Sequence, residues 1–243
     1  RISLFGGGTD FPEWFNLHNG ATISFTIDKY CYVTLRKLPP LYTFKYRLRY
    51  FKSEMAQSIS QIRHPSIKGA INTFDKTKDS FEIVHSSDIP GLSGLGSSSA
   101  FSVSIINLIQ NYNDIKMSKE KLAKKAIYLE KKVLKETIGY QDQYACAYGG
   151  FNSINYSKQK INIKPIMLSN KKRDNLINNS VIVYTGLQRK SQYIEKDKIK
   201  NIKKNEKNLM GLLELCNEAK KILNSNSKTY ISDINSLMRE SWN

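Results

Sequence analysis

The chain has 243 residues, which suits one large domain or two small ones, and 40% hydrophobic against 24% charged residues, a balance that can bury a core. No apolar run approaches the roughly 18 residues that a membrane-crossing helix needs. The net charge of +17 could draw nucleic acid, membrane surfaces or phosphorylated small molecules, so it narrows the partners without choosing one.

The elements expected in chain order begin with strands over residues 22–36, "TISFTIDKYCYVTLR", which are rich in β-branched and aromatic types. Residues 42–51 alternate aromatic and basic side chains and predict another strand. "PSIKGAINTF" (65–74) predicts a helix opened by proline, and "FEIVHSS" a short strand that leads into a glycine-rich stretch. From Ser97 the pattern turns helical, with Phe101, Ile105, Leu108 and Tyr112 at three- and four-residue spacing. Ser118 is placed to cap the next helix, with Glu120 in its first turn. "GGFNSINY" and "NNSVIVYTG" predict strands, and residues 200–223 a single helix. Strand runs and helix runs without regular alternation predict an α+β fold. A composition shift over 169–175, "SNKKRDN", is the expected boundary between a domain at 1–170 and a second at 171–243.

Cys31, Cys146 and Cys216 are odd in number and widely spaced, so neither a disulfide framework nor a CxxC metal site is readable and a reducing cytoplasm is the expected setting. His18, His64 and His85 show no metal-ligand spacing. The lysine-rich run "KDKIKNIKKNEK" (196–207) has no interleaved aromatic residue and predicts a solvated helix face; no nucleic-acid partner is expected from it. The chain begins at Arg1 without a methionine, so a preceding segment is expected.

The stretch "GLSGLGSSSAF" (91–101) carries the chemistry. It lacks the lysine of a GxxxxGK[ST] loop and the glycine order of GxGxxG. Glycines nevertheless let a backbone approach a ligand closely, and serines at a helix start add hydroxyls beside unpaired N–H groups at the positive end of the helix dipole. That combination suits phosphate. Downstream, Glu130 falls at helical spacing with Ala123, Ile127 and Leu134, and a carboxylate on an apolar stripe is costly unless it is paired or holds a metal.

The glycine-serine stretch resembles the second signature of the GHMP kinases, the family of galactokinase, homoserine kinase, mevalonate kinase and phosphomevalonate kinase. "RISLFGGGTDF" (1–11) resembles the first signature, and "GYQDQYACAYGGFN" (139–152) the segment that carries the family's catalytic aspartate. The resemblance implies a two-domain α+β kinase, with an N-terminal domain like ribosomal protein S5 domain 2 and a ferredoxin-like second domain that is incomplete here. It implies that Gly94, Leu95, Gly96, Ser97, Ser98 and Ser99 cradle the phosphates of ATP, and that Ser98 and Glu130 hold Mg²⁺. Asp142 would take or orient the proton of the attacking hydroxyl, with Arg1 near the transferred phosphate. Thr9, Asp10, Gln141, Gln143 and Arg189 would face the substrate.

Three glycines stand at 6–8 where galactokinase has Gly-Glu-His, which argues against galactose. Together with "KLPP", "IRHPSIKGA", "YTGLQRKS" and "ESWN", the motifs resemble the heptose kinase branch, which implies a phosphorylated heptose as substrate, and no membrane. A sugar-1-kinase of the L-fucose type shares the core motifs, and a chain that binds ligand or nucleic acid without turnover is the reading from another class. The family's third, glycine-rich signature does not occur before Asn243, so activity is expected of the intact protein. The oligomeric state stays open, a homodimer included.

Overall fold

The computed structural model describes residues 1–91, 93–183 and 191–242. Its elements run β1 (Ile2–Phe5), α1 (Pro12–His18), β2 (Gly20–Phe25), β3 (Cys31–Lys37), β4 (Tyr46–Arg49), β5 (Ser53–Ala56), α2 (Pro65–Phe74), β6 (Phe81–Ser87), α3 (Ser97–Tyr112) and α4 (Lys119–Tyr128). A single turn of π-helix over Leu129–Val133 follows, then α5 (Gln141–Tyr148), β7 (Phe151–Tyr156), β8 (Ile161–Pro165), α6 (Asn170–Asn178), α7 (Ser191–Lys200), α8 (Glu206–Asn224) and α9 (Tyr230–Glu240). The architecture is α+β.

The chain forms two compact units, and they do not divide at residue 170. One comprises Arg1–Ile27, Gly139–Gln141 and Gly149–Asn243; the other comprises Asp28–Ile138 and Asp142–Tyr148. The reason lies in strand pairing. β2 is antiparallel to β7 from Gly20 opposite Tyr156 to Phe25 opposite Phe151, so the first residues of the chain fold with its later part.

In the first unit the strand order is β1-β2-β7-β8, all antiparallel. Phe5, Ala21, Ile23 and Ile166 form a core with Cys216, Ala219 and Leu223 of α8 and Ile234 and Leu237 of α9. Thr22 and Tyr156 share a hydrogen bond of 2.9 Å between hydroxyls, and the Phe15 ring of α1 stacks on Tyr156.

The second unit holds a mixed sheet in the order β3-β6-β4-β5, with β4 parallel to β6. Leu48, Phe81 and Ile83 pack against Ile67, Ala70 and Ile71 of α2 and Ile105, Ile106 and Ile109 of α3. Helix α2 starts as its sequence suggests: Pro65 occupies the first turn and His64 Nδ1 accepts from the Ile67 N–H at 3.4 Å. Ser118 caps α4 by accepting from the Lys121 N–H.

Several expected elements differ. The strand expected over 42–51 is confined to Tyr46–Arg49. The expected boundary at 169–175 is helical: Ser169 accepts from the Lys172 N–H and caps α6. Residues 181–183 form no strand, and 184–190 lie outside the described residues. The single helix expected over 200–223 is two, because α7 stops at Lys200 and α8 starts at Glu206. Turns over residues 201–205 separate them, and the Asp197 carbonyl near the end of α7 accepts from both the backbone N–H and the side-chain amide of Asn201.

Candidate active site

The phosphate-loop candidates begin at two glycines in the left-handed region, Gly94 (φ 75°) and Gly96 (φ 76°), a conformation that side chains with a Cβ resist. Gly96 is the N-cap of α3, and no side chain caps that helix. The open N–H groups of its first turn and the positive end of its dipole are therefore available to an anion. A side chain at Gly94 would meet nothing within 4 Å, so the backbone there faces open space. Leu95 and Ser97 are half-buried, Ser98 is exposed and Ser99 is buried.

Ser99 turns inward to the second candidate centre. Its Oγ donates to Glu130 Oε2 at 3.3 Å, and the Gln143 side-chain amide donates to the same Oε2 at 2.5 Å and to Ser99 Oγ at 3.1 Å. Glu130 is 1% exposed. Burial pushes its carboxyl up from the usual 4.5 to about 7; the Gln143 amide and the facing Ser102 hydroxyl oppose this, while the charges of Glu136 and Asp142 add to it. Among the described residues Ser102 Oγ, Glu130 Oε1 and Gln143 Oε1 are buried without a hydrogen-bond partner.

The π-turn positions Glu130. An extra residue in the turn at Leu129–Val133 shifts the phase of the helix, so Leu134 does not continue the line through Ala123 and Ile127 that the sequence suggests. Gln143, expected to face the substrate, is 1% exposed with its amide spent on Glu130 and Ser99. Asp142 precedes it in the first turn of α5 and is half-buried.

A separate group lies in the first unit. Asp10 is 7% exposed; its Oδ1 accepts from the Gly8 N–H at 3.2 Å and its Oδ2 from the Gln141 N–H at 3.1 Å. Gly139 makes room for this, since a side chain there would collide with the Asp10 carboxylate. Gln141 is buried, and its side-chain amide exchanges hydrogen bonds with Ser3. Thr9 is fully buried and its hydroxyl bonds the backbone of Gly6 and Ala21, which locks the turn into β2. Arg1 is half-buried just ahead of β1. Arg189 lies outside the described residues.

Sequence reasoning did not place Ser99, Ser102 and Gln143 around Glu130. The signal was present in part, because Ser99 and Ser102 are three apart on α3 and therefore share a face.

The residues fit the groups that the motifs imply. An uncapped helix start behind left-handed glycines suits nucleotide phosphates. A buried carboxylate oxygen without a partner is a hard ligand suited to Mg²⁺. Among the described residues no three His, Cys, Asp or Glu side chains gather as a metal site, so the protein ligands for a divalent ion would be one carboxylate and serine hydroxyls, with other positions left to water and phosphate.

Residues 65–150, the segment that holds the glycine loop, Glu130 and Asp142, match the family described as "GHMP kinases N terminal domain". Over 251 residues the chain is 26% identical to D-glycero-alpha-D-manno-heptose 7-phosphate kinase of Campylobacter jejuni, covering 100% of this chain and 74% of that protein. The fold is shared with a crystal structure of a D-glycero-D-manno-heptose 1-phosphate kinase from Bacteriodes thetaiotaomicron, at TM-score 0.83 and 22% identity over 99% of this chain and 75% of that one. It is shared also with the Methanococcus jannaschii mevalonate kinase, at TM-score 0.60 and 15% identity over 99% of this chain and 76% of that one. No described helix is long and apolar enough to cross a membrane.

Proposed function

We propose that the intact protein is an ATP-dependent, Mg²⁺-dependent sugar kinase that transfers the γ-phosphate to the C1 hydroxyl of D-glycero-D-manno-heptose 7-phosphate. The product is the 1,7-bisphosphate, a precursor of nucleotide-activated heptose for surface polysaccharide, and the setting is the cytoplasm. The observation that carries the reading is the Ser99–Glu130–Gln143 cluster, with its bare carboxylate oxygen, beside the uncapped start of α3. The similarity to a heptose 7-phosphate kinase supports the choice of sugar.

In this reading residues 94–99 receive the phosphates on backbone N–H groups and on the hydroxyls of Ser97 and Ser98, the Ser99 hydroxyl being turned to Glu130. Ser98, exposed on the first turn, and Glu130 hold the divalent ion, which when bound neutralises charge on the phosphates. Asp142 orients the attacking hydroxyl and accepts its proton, a task that needs position more than basicity in phosphoryl transfer. Asp10, its carboxylate fixed by two backbone N–H groups, accepts hydrogen bonds from sugar hydroxyls, and Arg1 offsets charge on the transferred phosphate. Gln141 acts through Asp10, to which its N–H donates.

The test is a panel of heptose 7-phosphate, heptose 1-phosphate, L-fucose and free hexoses, assayed by ADP release with the intact protein. Turnover of heptose 7-phosphate is expected to exceed the others at least tenfold. Efficient phosphorylation of free hexoses without heptose 7-phosphate turnover, or ATP-independent ligand binding alone, refutes it.

A further inference from the structure

We infer that Gln143 is a positioning residue for the Glu130 carboxylate, an inference that rests on Glu130 serving a divalent cation. Glu130 Oε2 accepts from two donors, the Gln143 amide at 2.5 Å and the Ser99 hydroxyl at 3.3 Å. Gln143 closes the triangle by donating also to Ser99 Oγ at 3.1 Å. Among the described residues no group donates to Oε1 within hydrogen-bond geometry, and it is shut off from solvent. The carboxylate is thus asymmetric: one oxygen is used to anchor its rotamer, and the other keeps its lone pairs for a hard cation. Partners behind a metal ligand commonly fix its orientation in this way.

The residue type matters. A glutamine supplies an N–H donor without bringing charge, whereas a glutamate would add a third carboxylate where Glu130 already feels Glu136 and Asp142. A leucine fills similar volume with no donor, and an asparagine carries the amide one methylene short. Position matters as well. Gln143 directly follows Asp142 on α5, so their side chains leave the helix about 100° apart. One short helix therefore carries the candidate base on one side and the anchor of the metal carboxylate on the other. Any rotation of α5 that moved Asp142 would also move the donor on Glu130.

The experiment uses Mn²⁺ as the probe, titrated into the full chain and followed by electron paramagnetic resonance, with and without a non-hydrolysable ATP analogue. Gln143→Leu and Gln143→Asn are each expected to weaken Mn²⁺ binding by about 10- to 100-fold. Metal-free nucleotide binding is expected to stay unchanged, as no merely structural lesion would leave it. If Gln143→Leu fails to fold, Gln143→Asn retains a polar side chain in the cluster and is expected to show the same loss. Glu130→Ala separates the two levels. Loss of Mn²⁺ binding in Glu130→Ala with both Gln143 variants unaffected overturns the positioning role and leaves the metal assignment standing. Unchanged Mn²⁺ binding in Glu130→Ala removes the metal assignment, and the inference with it.

Discussion

Replacing Glu130 by glutamine tests the electrostatics of the cluster through stability alone. Burial holds the Glu130 carboxyl near 7 in the folded chain against an ordinary 4.5. At about 1.4 kcal/mol for each pH unit between the two values, ionising the group in place costs about 3 kcal/mol. Because the folded value is the higher, the folded state binds this proton more tightly than the unfolded state. The stability so contributed is complete below about pH 4.5 and is lost as pH rises to about 7. A neutral amide at 130 keeps an acceptor for the Gln143 and Ser99 donors and has no charge to desolvate. Glu130→Gln is therefore expected to match the unaltered chain at pH 4.5 and to exceed it at pH 8 by about 2–3 kcal/mol, roughly 5–10 °C in Tm for a chain of this size. The assay is thermal or urea denaturation of both proteins across pH 4.5–8 with EDTA present, so that no divalent ion compensates the charge. A difference that is the same at both ends of the range, or a variant less stable at pH 8, would refute the desolvation argument.

Ser98→Ala is expected to raise the Mg²⁺ concentration needed for half-maximal turnover at least tenfold with little change in urea midpoint, since Ser98 is exposed. Ser99→Ala is expected to lower stability by about 1–2 kcal/mol, because it removes a buried hydroxyl shared by Glu130 and Gln143; the reverse pattern would put the metal hydroxyl one residue later. Asp142→Asn is expected to lower kcat by about 10²- to 10⁴-fold, and equal rates in a single-turnover assay would remove it from the mechanism. Gly139→Ala pushes a Cβ into the Asp10 carboxylate and is expected to raise KM for the sugar more than KM for ATP, measured by steady-state kinetics with each substrate varied.

The parts legible in the sequence are those marked by local chemistry. Pro65, the Phe101–Ile105 spacing and the Ser118 cap each act within one turn of the chain, and α2, α3 and α4 lie where those signals put them. Glu130 was conspicuous for the same reason, as a carboxylate on an apolar stripe. The π-turn that carries it was not, because an i to i+5 hydrogen bond leaves no compositional trace. Three consecutive serines leave a helix about 100° apart, so which one turns inward depends on the helix phase against its neighbours; Ser99 does. Unit boundaries were hidden because strand pairing joins Gly20 to Tyr156, and alternation within each strand does not say which distant strand it meets. "VIV" at 181–183 has strand composition but forms no strand, since propensity describes fit to a pleated surface and not a partner.

That pairing also sets a timetable for biosynthesis. β1 and β2 leave the ribosome before the elements that cover them and can pair, Ile2 opposite Phe25, but a two-stranded pair is marginal by itself. β7, which closes the other edge of β2, and α8, which covers Ile23, are made only after the whole of residues 28–138. At about 5–20 residues per second the interval is on the order of ten seconds. Through it the nascent chain carries Phe5, Ile23 and Phe25 on an open sheet edge while the middle segment collapses ahead of it, and this is the stage at which a holding chaperone has most to protect.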